Sequence, residues 1–488
     1  MRLSQILFPN EITTYGFSDI EFGKPCADSR KLQKNDVFFS ENSTSYIKEA
    51  VKMGASAIVV DKDTRISPCL IPVFRVENVR KQYTLAWKRY TENPDQSLRL
   101  IAVTGTNGKT SVTHFLTEIL RAAGIPTGLI GTVEYSDGIE RYSSDYTTPT
   151  PEILYPLFQK MKKNGIPIAV MEASSHAIAQ ERLYGLTYET AVFTNLTRDH
   201  LDYHKTWDAY QSTKASLFRS AKNALIHADD PSAKQMAWEA AGDVYYYAKN
   251  ENAEFYIENP LCTHHNIRYS LRFKNETIPV MLPLIGEFNV LNSAAAIAAA
   301  LLSGIPTEAL IQAISKISAP PGRLERLSTD TEYTIYIDYA HTPDALEKAL
   351  MALRPHTARL TVLFGAGGDR DPGKRPEMGR IADTIADRII LTEDNSRGED
   401  TKSILDDVLV GIQKKSPILI PSRKEAIEYA METARTDEII LLAGKGHENY
   451  LIDKNGKYPF SEREIVCKYL ERKGQNNVSQ HERQRNHI

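Results

Sequence analysis

Between Leu98 and Ala123 the order of apolar and polar positions changes twice, and each change predicts an element. Leu100-Ile101-Ala102-Val103 is an unbroken apolar run, the pattern of a strand buried on both faces. Val112, Phe115, Leu116, Ile119, Leu120 and Ala123 then recur at helical spacing. Between them lies Gly105-Thr106-Asn107-Gly108-Lys109-Thr110-Ser111. A buried strand, a glycine turn and a helix in that order form a phosphate cradle. The glycines let backbone N–H groups turn inward, and the helix N-terminus adds partial positive charge. Lys109 reaches the outer phosphates, and Thr110 supplies the hydroxyl expected on Mg²⁺. Val103 occupies the place of the first glycine in the common GxxxxGK[ST] pattern, so this cradle is a compact variant. A nucleotide site follows.

The same patterning divides the rest of the chain. Residues 1–97 form a first unit, with short strands at Val37-Phe38-Phe39 and Ala57–Val60, a helix over Ile47–Met53, and a polar linker at Pro94–Ser97. Residues 98–320 alternate apolar strands (Ile166–Val170, Ala191–Phe193, Ala224–Ile226) with helical stretches, the signature of a doubly wound parallel sheet. Ala319-Pro320-Pro321-Gly322-Arg323 breaks the preceding helix. A third α/β unit over 321–473 carries strands at Ile335–Ile337, Leu360–Phe364, Ile389–Leu391 and Ile439–Leu442. The tail, 474–488, lacks apolar periodicity and is expected to be disordered. Polar residues with chemical capacity follow the strand ends: Glu172, Asn195, Asp338, Asp369, Asp394 and Lys445. In open α/β sheets ligands bind at that edge. Two such edges are expected to face each other across a cleft.

Composition changes this picture little. At 488 residues the chain exceeds one core. A net charge of −3 gives no electrostatic case for nucleic acid or an anionic membrane. Cys26, Cys69, Cys262 and Cys467 are too scattered for zinc or a disulfide framework. No signal peptide is evident, and no apolar stretch nears the roughly 20 residues that span a bilayer. A cytoplasmic, monomeric enzyme is expected.

Three further positions carry candidate chemistry. Glu172, after a buried strand, places a carboxylate beside the cradle, and Mg²⁺ prefers one or two carboxylates together with substrate phosphates. His200 lies in the dense polar run Thr194–His204, amid Asp199 and Arg198. Lys214 shares one helical stripe with Trp207, Tyr210 and Leu217, where a lysine must snorkel, pair or lose its charge. Carbamylation, reaction with CO₂ to give an anion, is a third outcome.

Ten ordered stretches extend this reading: TGTNGKTS, EASSHAIAQERL, FTNLTRDHLDYH, YQSTKASLF, GEFNVLNSAAA, PGRLE, DYAHTPDAL, GAGGDRDPGKRP, EDNSRGED and AGKGHE. Together they resemble the Mur ligases of the MurE type, over roughly residues 25–470. The resemblance implies a three-domain α/β architecture. A domain for the UDP end of the substrate precedes a central sheet of P-loop ATPase type and a C-terminal Rossmann-like amino-acid domain. It places Gly105, Thr106, Asn107, Gly108, Lys109, Thr110 and Ser111 on ATP phosphates, with Asn292, Asp338 and His341 as further nucleotide contacts. Mg²⁺ would be held by Thr110, Glu172, His200 and the carbamate of Lys214. Lys109, Lys214, His200 and Glu172 form the implied catalytic set. Ser29, Thr147, Thr148, Ser174, Gln180 and Arg182 match contacts to the UDP-muramoyl peptide. Arg370, Asp394, Asn395, Ser396, Arg397, Gly444 and Glu448 match the pocket of the incoming amino acid. Within that pocket Arg397 offers a planar fork for a carboxylate, whereas Glu448 and Asp394 accept from an ammonium.

The activity implied is ATP-dependent addition of meso-diaminopimelate to UDP-MurNAc-L-Ala-D-Glu through an acyl phosphate, in peptidoglycan precursor synthesis. Two departures lie on the acceptor side. Residues 39–46 are short and lack the Asp-Gly-His segment usual there, and Tyr146 replaces an asparagine before Thr147-Thr148. In the amino-acid loop Ser396 replaces the usual proline. A paralogue joining a different amino acid to a different acid is therefore the alternative. A switch NTPase would need an NKxD motif, which is absent. A non-catalytic paralogue would not keep Lys109, Glu172, His200 and Lys214.

Overall fold

The computed structural model describes residues 1–12, 19–41, 44–66, 70–263 and 266–485, with side chains to residue 473 except 9 and 44. Cys69, Asn42-Ser43 of the shortened segment and the last three tail residues lie outside the described residues.

Three parallel-rich sheets follow one another along the chain. The first has four parallel strands, Pro25–Cys26, Val37–Ser40, Ala57–Asp61 and Val73–Val76. The second has eleven. Its parallel centre runs, in spatial order, Phe255–Cys262, Asp243–Ala248, Ala221–His227, Tyr188–Phe193, Arg99–Thr104, Ile168–Glu172 and Thr127–Ile130. Antiparallel strands extend both edges: Ile267–Phe273 and Glu276–Leu282 on one side, Glu134–Ser136 and Arg141–Ser143 on the other. The third sheet runs Glu325–Arg326, Thr334–Asp338, Ile439–Ala443, Leu360–Phe364, Arg388–Leu391 and Ile418–Leu419, parallel except for its first strand.

Alternation along Arg99–Thr104 explains why the middle sheet is wrapped on both faces. Ile101 and Val103 point to the face covered by the helices Lys109–Ala122 and Phe288–Leu302. Leu100 and Ala102 point to the face covered by Pro151–Lys163. The alanines from Ala294 to Ala300 are all buried, and their small size brings the helix close onto the sheet.

Some expectations need correction. The antiparallel edge over 255–282 was not foreseen in a wholly parallel sheet; its apolar residues face the alanine-rich helix, and its other face is largely solvated. Pro94–Ser97 makes the turn expected there, a 3₁₀ turn whose Gln96 and Ser97 are exposed, but its Pro94 and Asp95 are buried, with Asp95 paired to Lys88 at 2.8 Å. The last helix among the described residues runs Glu462–Arg485.

Candidate active site

The cradle is made by backbone geometry. Gly108 caps the helix at φ +86°, and a Cβ there would stand 2.5 Å from Asn292 Oδ1. A Cβ on Gly105 would stand 1.9 Å from the Thr194 hydroxyl. Only glycine lets the turn approach these neighbours. Lys109 Nζ donates to the carbonyls of Gly105 (2.9 Å) and Thr106 (2.8 Å). Thr106 shares a 3.0 Å hydrogen bond with the Tyr210 hydroxyl, and Ser111 is buried in the first helical turn. Asn107 Nδ2 donates to Asp344 Oδ2 of the third sheet's domain at 2.7 Å.

Glu172 emerges from its strand fully buried beside this turn. Its carboxylate accepts from Thr110 Oγ1 (3.1 Å), Thr132 N (2.7 Å) and Thr132 Oγ1 (3.0 Å). Thr110 and Glu172 thus present adjacent oxygens, the donor chemistry that suits Mg²⁺. Among the described residues no group of three or more His, Cys, Asp or Glu forms a metal cage. A pair of oxygen donors without a cage fits a cation whose remaining ligands come from substrate phosphates and water.

Lys214 is 1% exposed, and its Nζ donates to Gly105 O at 2.8 Å. Burial, then the nearby Lys109 ammonium, pushes its pKa well below the ordinary lysine value, against the pull of Asp199. The stripe foreseen around it is buried at Tyr210 and Leu217, but Trp207 is 39% exposed, and the helix ends at Ala215, before Leu217. His200 takes a left-handed backbone, φ +54°, and its Nε2 lies 3.3 Å from Asp199 Oδ2. Burial holds its imidazole neutral despite that carboxylate. His176 packs edge-on to it, ring centroids 4.7 Å apart.

On the other side of Glu172 the acceptor-side residues converge. Thr148 Oγ1 donates to Glu172 O (2.7 Å) and accepts from Ser174 N (3.0 Å). Thr147 Oγ1 accepts from Thr132 Oγ1 at 3.0 Å. Arg182 donates to Thr148 O (2.8 Å) and doubly to Gln180 Oε1 (3.0 and 2.6 Å). The Tyr146 ring lies 5.3 Å from its guanidinium carbon. Ser29 is elsewhere, in the first sheet's unit, donating to Glu49 Oε2 at 2.6 Å.

The third sheet's edge closes a cleft of about 430 Å³ over this one. His200 and His176 line it from the middle domain, and His341, Arg370, Asp394, Asn395, Arg397, Gly444 and Glu448 from the last. Asp338 lies behind the cleft, taking N–H donors from Leu324 (2.6 Å) and Ala340 (2.8 Å), and burial lifts its pKa to about 6. Arg397 also has a left-handed backbone, φ +52°, with Nη1 on the carbonyls of Gly368 (2.9 Å) and Asn395 (3.2 Å). A Cβ on Gly444 would stand 2.6 Å from Asp394 Oδ2, so the two strand ends meet only through glycine. Ser396 is buried below the rim.

Comparison with known proteins converges on one family. Residues 103–300 match the Mur ligase middle domain, and 322–446 match the Mur ligase glutamate ligase domain. The UDP-N-acetylmuramoyl-L-alanyl-D-glutamate–2,6-diaminopimelate ligase 1 of Clostridium acetobutylicum is 38% identical over 463 residues, 93% of this chain and 96% of its own. The chain belongs to the Mur ligase family. A solved structure of a UDP-N-acetylmuramoyl-L-alanyl-D-glutamate–2,6-diaminopimelate ligase superposes with TM-score 0.66 at 33% identity, covering 93% of this Mur ligase and 95% of that chain. The MurF ligase of Thermotoga maritima, solved with ADP, shares the fold at TM-score 0.60 and 17% identity, covering 92% and 98%.

Two residues of this Mur ligase beside the site escaped assignment from sequence. Arg323, in the quoted PGRLE, crosses between domains to donate to Thr110 Oγ1 at 3.2 Å. Lys445, in AGKGHE, is fully buried among the carboxylates of the pocket. Lys445 stands out in sequence only as a chemically capable residue at a strand end, with no role attached, and nothing in the spacing of Arg323 distinguishes it from a surface cation. A basic residue inside an otherwise small or apolar motif was the available signal.

Proposed function

We propose that this Mur ligase joins an amine of meso-diaminopimelate to the terminal carboxylate of UDP-MurNAc-L-Ala-D-Glu, with ATP converted to ADP and phosphate. One observation carries the reading. A single cleft joins the cradle-side residues around His200 to a pocket holding both carboxylates and a carboxylate-matching arginine. The acceptor carboxylate attacks the γ-phosphorus, ADP leaves, and an acyl phosphate forms. The amine then adds to the acyl carbon, phosphate departs, and the amine's proton is lost. Lys109 and the cradle N–H groups neutralise charge on the transferred phosphoryl group. Thr110 and Glu172 would hold Mg²⁺, with His200 and a carbamate on Lys214 completing the set, and the cation adds electrostatic stabilisation when bound. A neutral, buried Lys214 amine is the form that reacts with CO₂.

The division proposed is 1–97 for the UDP end of the acceptor, 98–320 for ATP and 321–473 for the amino acid. No helix among the described residues is long and apolar enough to cross a membrane. A cytoplasmic monomer acting on small molecules is the assignment that goes with this chemistry. Tyr146, stacked over Arg182, favours a second reading in which the acceptor acid differs. An ADP-release assay across candidate amino acids, with and without UDP-MurNAc-L-Ala-D-Glu, separates the two. Release that needs both this acceptor and diaminopimelate supports the first, and release with another acid only overturns it.

A further inference from the structure

Lys445 has no part in the chemistry described so far, yet it is 0% exposed at the base of the amino-acid pocket. Its Nζ donates to Asn395 Oδ1 at 3.0 Å and to Glu448 Oε2 at 2.5 Å, and stands 3.7 Å from Asp394 Oδ1. Asp394, Asn395 and Glu448 line the cleft, whereas Lys445 lies beneath them. The arrangement fixes two properties of the pocket. An amide can point either way, but Asn395 Oδ1 here accepts from both Lys445 Nζ and Ile452 N (3.0 Å), which turns Nδ2 onto Glu448 Oε2 at 3.0 Å. Two carboxylates close together also repel each other's ionisation, and one buried cation removes that conflict. Lys445 thus offsets one of the two carboxylate charges, Asp394 and Glu448, that it lies beneath.

We propose that Lys445 is a positioning residue of the amino-acid pocket. It holds Asn395 and Glu448 in one arrangement and sets the local charge to match a single α-ammonium group. This rests on the assignment of the cleft to an amino-acid substrate. Arg423 performs a parallel but purely structural task one layer further in, bonded to Glu462 and to the carbonyls of Glu393 and Ala443. Lys445 differs because its two acceptors, Asn395 and Glu448, and the paired Asp394 all line the cleft.

The test is steady-state kinetics on Lys445→Met in the full-length protein, varying meso-diaminopimelate and ATP separately. Loss of charge-assisted bonds to recognition groups should raise the KM for the amino acid by roughly tenfold or more, with the KM for ATP within about twofold of wild type. A merely structural lysine would lower the unfolding temperature and move both constants together, or neither; either result overturns the proposal. If Lys445→Met does not fold, Lys445→Gln keeps a donor to Glu448 without the charge and takes the same readout. The attacking amine is neutral, so the ammonium held by this pocket is the one at the other centre of a diamino acid. A wild type that ignores diaminopimelate but uses another diamino acid therefore overturns the substrate reading alone, and the KM ratio for that amino acid then decides for Lys445. A wild type that neither binds nor uses any amino acid in calorimetric titration overturns both.

Discussion

The cradle proposed for phosphate and the pocket proposed for the amino acid lie on facing sheet edges but are built by opposite means. The cradle comes from one contiguous stretch, Gly105 to Ser111, and its shape is set by two glycines at positive φ against Thr194 and Asn292. Its ligand groups are mainly backbone N–H. The pocket is assembled from separate segments around Arg370, Asp394–Arg397 and Gly444–Glu448. It is held by side-chain cross-links, and Asp369 and Arg397 accept left-handed backbones (φ +51° and +52°) that cost a non-glycine residue some strain. A backbone cradle tolerates side-chain drift everywhere except at its glycines and its lysine. A pocket of side chains can be retuned one residue at a time. The nucleotide end should therefore be the conservative end of the molecule, and the amino-acid end the adaptable one.

The largest effect that can break this contrast is at Lys109, the charged side chain of the cradle. Lys109→Ala should lower kcat by about a thousandfold, the scale of losing a preorganised electrostatic donor, with little change in thermal unfolding. Near-normal amino-acid-dependent ADP release from a folded variant would show that the backbone alone suffices. Next comes Lys214, packed onto the same Gly105 carbonyl. Lys214→Ala should lose a few hundredfold, roughly, and recover in part with added short carboxylates that replace a carbamate anion. Growth in ¹³C-bicarbonate should give a carbamate carbon resonance in the wild type that is missing from the variant. An active enzyme whose Lys214 remains an unmodified amine would remove the carbamate from the account.

How legible these two regions were in the sequence follows from the same contrast. Strand, turn and helix of the cradle are local, so Arg99–Thr104 and Lys109–Ala122 stand where the patterning put them. Four of the third sheet's six strands were equally readable, because fully buried parallel strands are short apolar runs, whereas the two-residue edge strands Glu325–Arg326 and Ile418–Leu419 were not. The edge over 255–282 was missed because half-buried strands alternate and show no apolar run. The turn at Pro94–Ser97 was readable, but not the burial of its Asp95, which rests on Lys88, a contact composition does not reveal. In the pocket, the residues lining the cleft came from a family resemblance, not from spacing. Arg323, and the contacts of Lys445, became visible only once distant segments were brought together.

Arg397 sharpens the contrast from the pocket side. Its guanidinium is already fixed on two carbonyls, and on the proposed reading it would meet the carboxylate at the distal end of the amino acid. Such a pair contributes about 1.5–3 kcal/mol. Arg397→Ala should then cost roughly 10- to 150-fold in kcat/KM for meso-diaminopimelate and far less for lysine, which lacks the second carboxylate. Equal losses for the two amino acids, or a wild type that prefers lysine, would show that Arg397 does not read that group.

The smallest effect expected concerns the seam between the two regions, where the loop that carries Glu448 also carries His447. Its ring reaches the Thr132 backbone of the middle domain, beside the donors to Glu172, and packs 5.0 Å from Tyr339. Burial, with Arg323 and Lys445 nearby, pushes its pKa down to about 3. In the unfolded chain a histidine titrates near 6.5. Between these values the unfolded state binds a proton that the folded state refuses. Stability contributed by the neutral ring is therefore present above about pH 6.5 and is lost as pH falls toward 3. The slope approaches about 1.4 kcal/mol per pH unit for this one group. Buried His200 and His204, the latter held at about 4, add to the same loss from the cradle side. His447→Gln should leave stability at pH 7.5 within about 1 kcal/mol of wild type and flatten the fall between pH 6.5 and 4.5. Urea unfolding at several pH values measures both. If wild type and variant lose stability in parallel, His447 is not neutral in the fold, and the seam is held by something other than this ring.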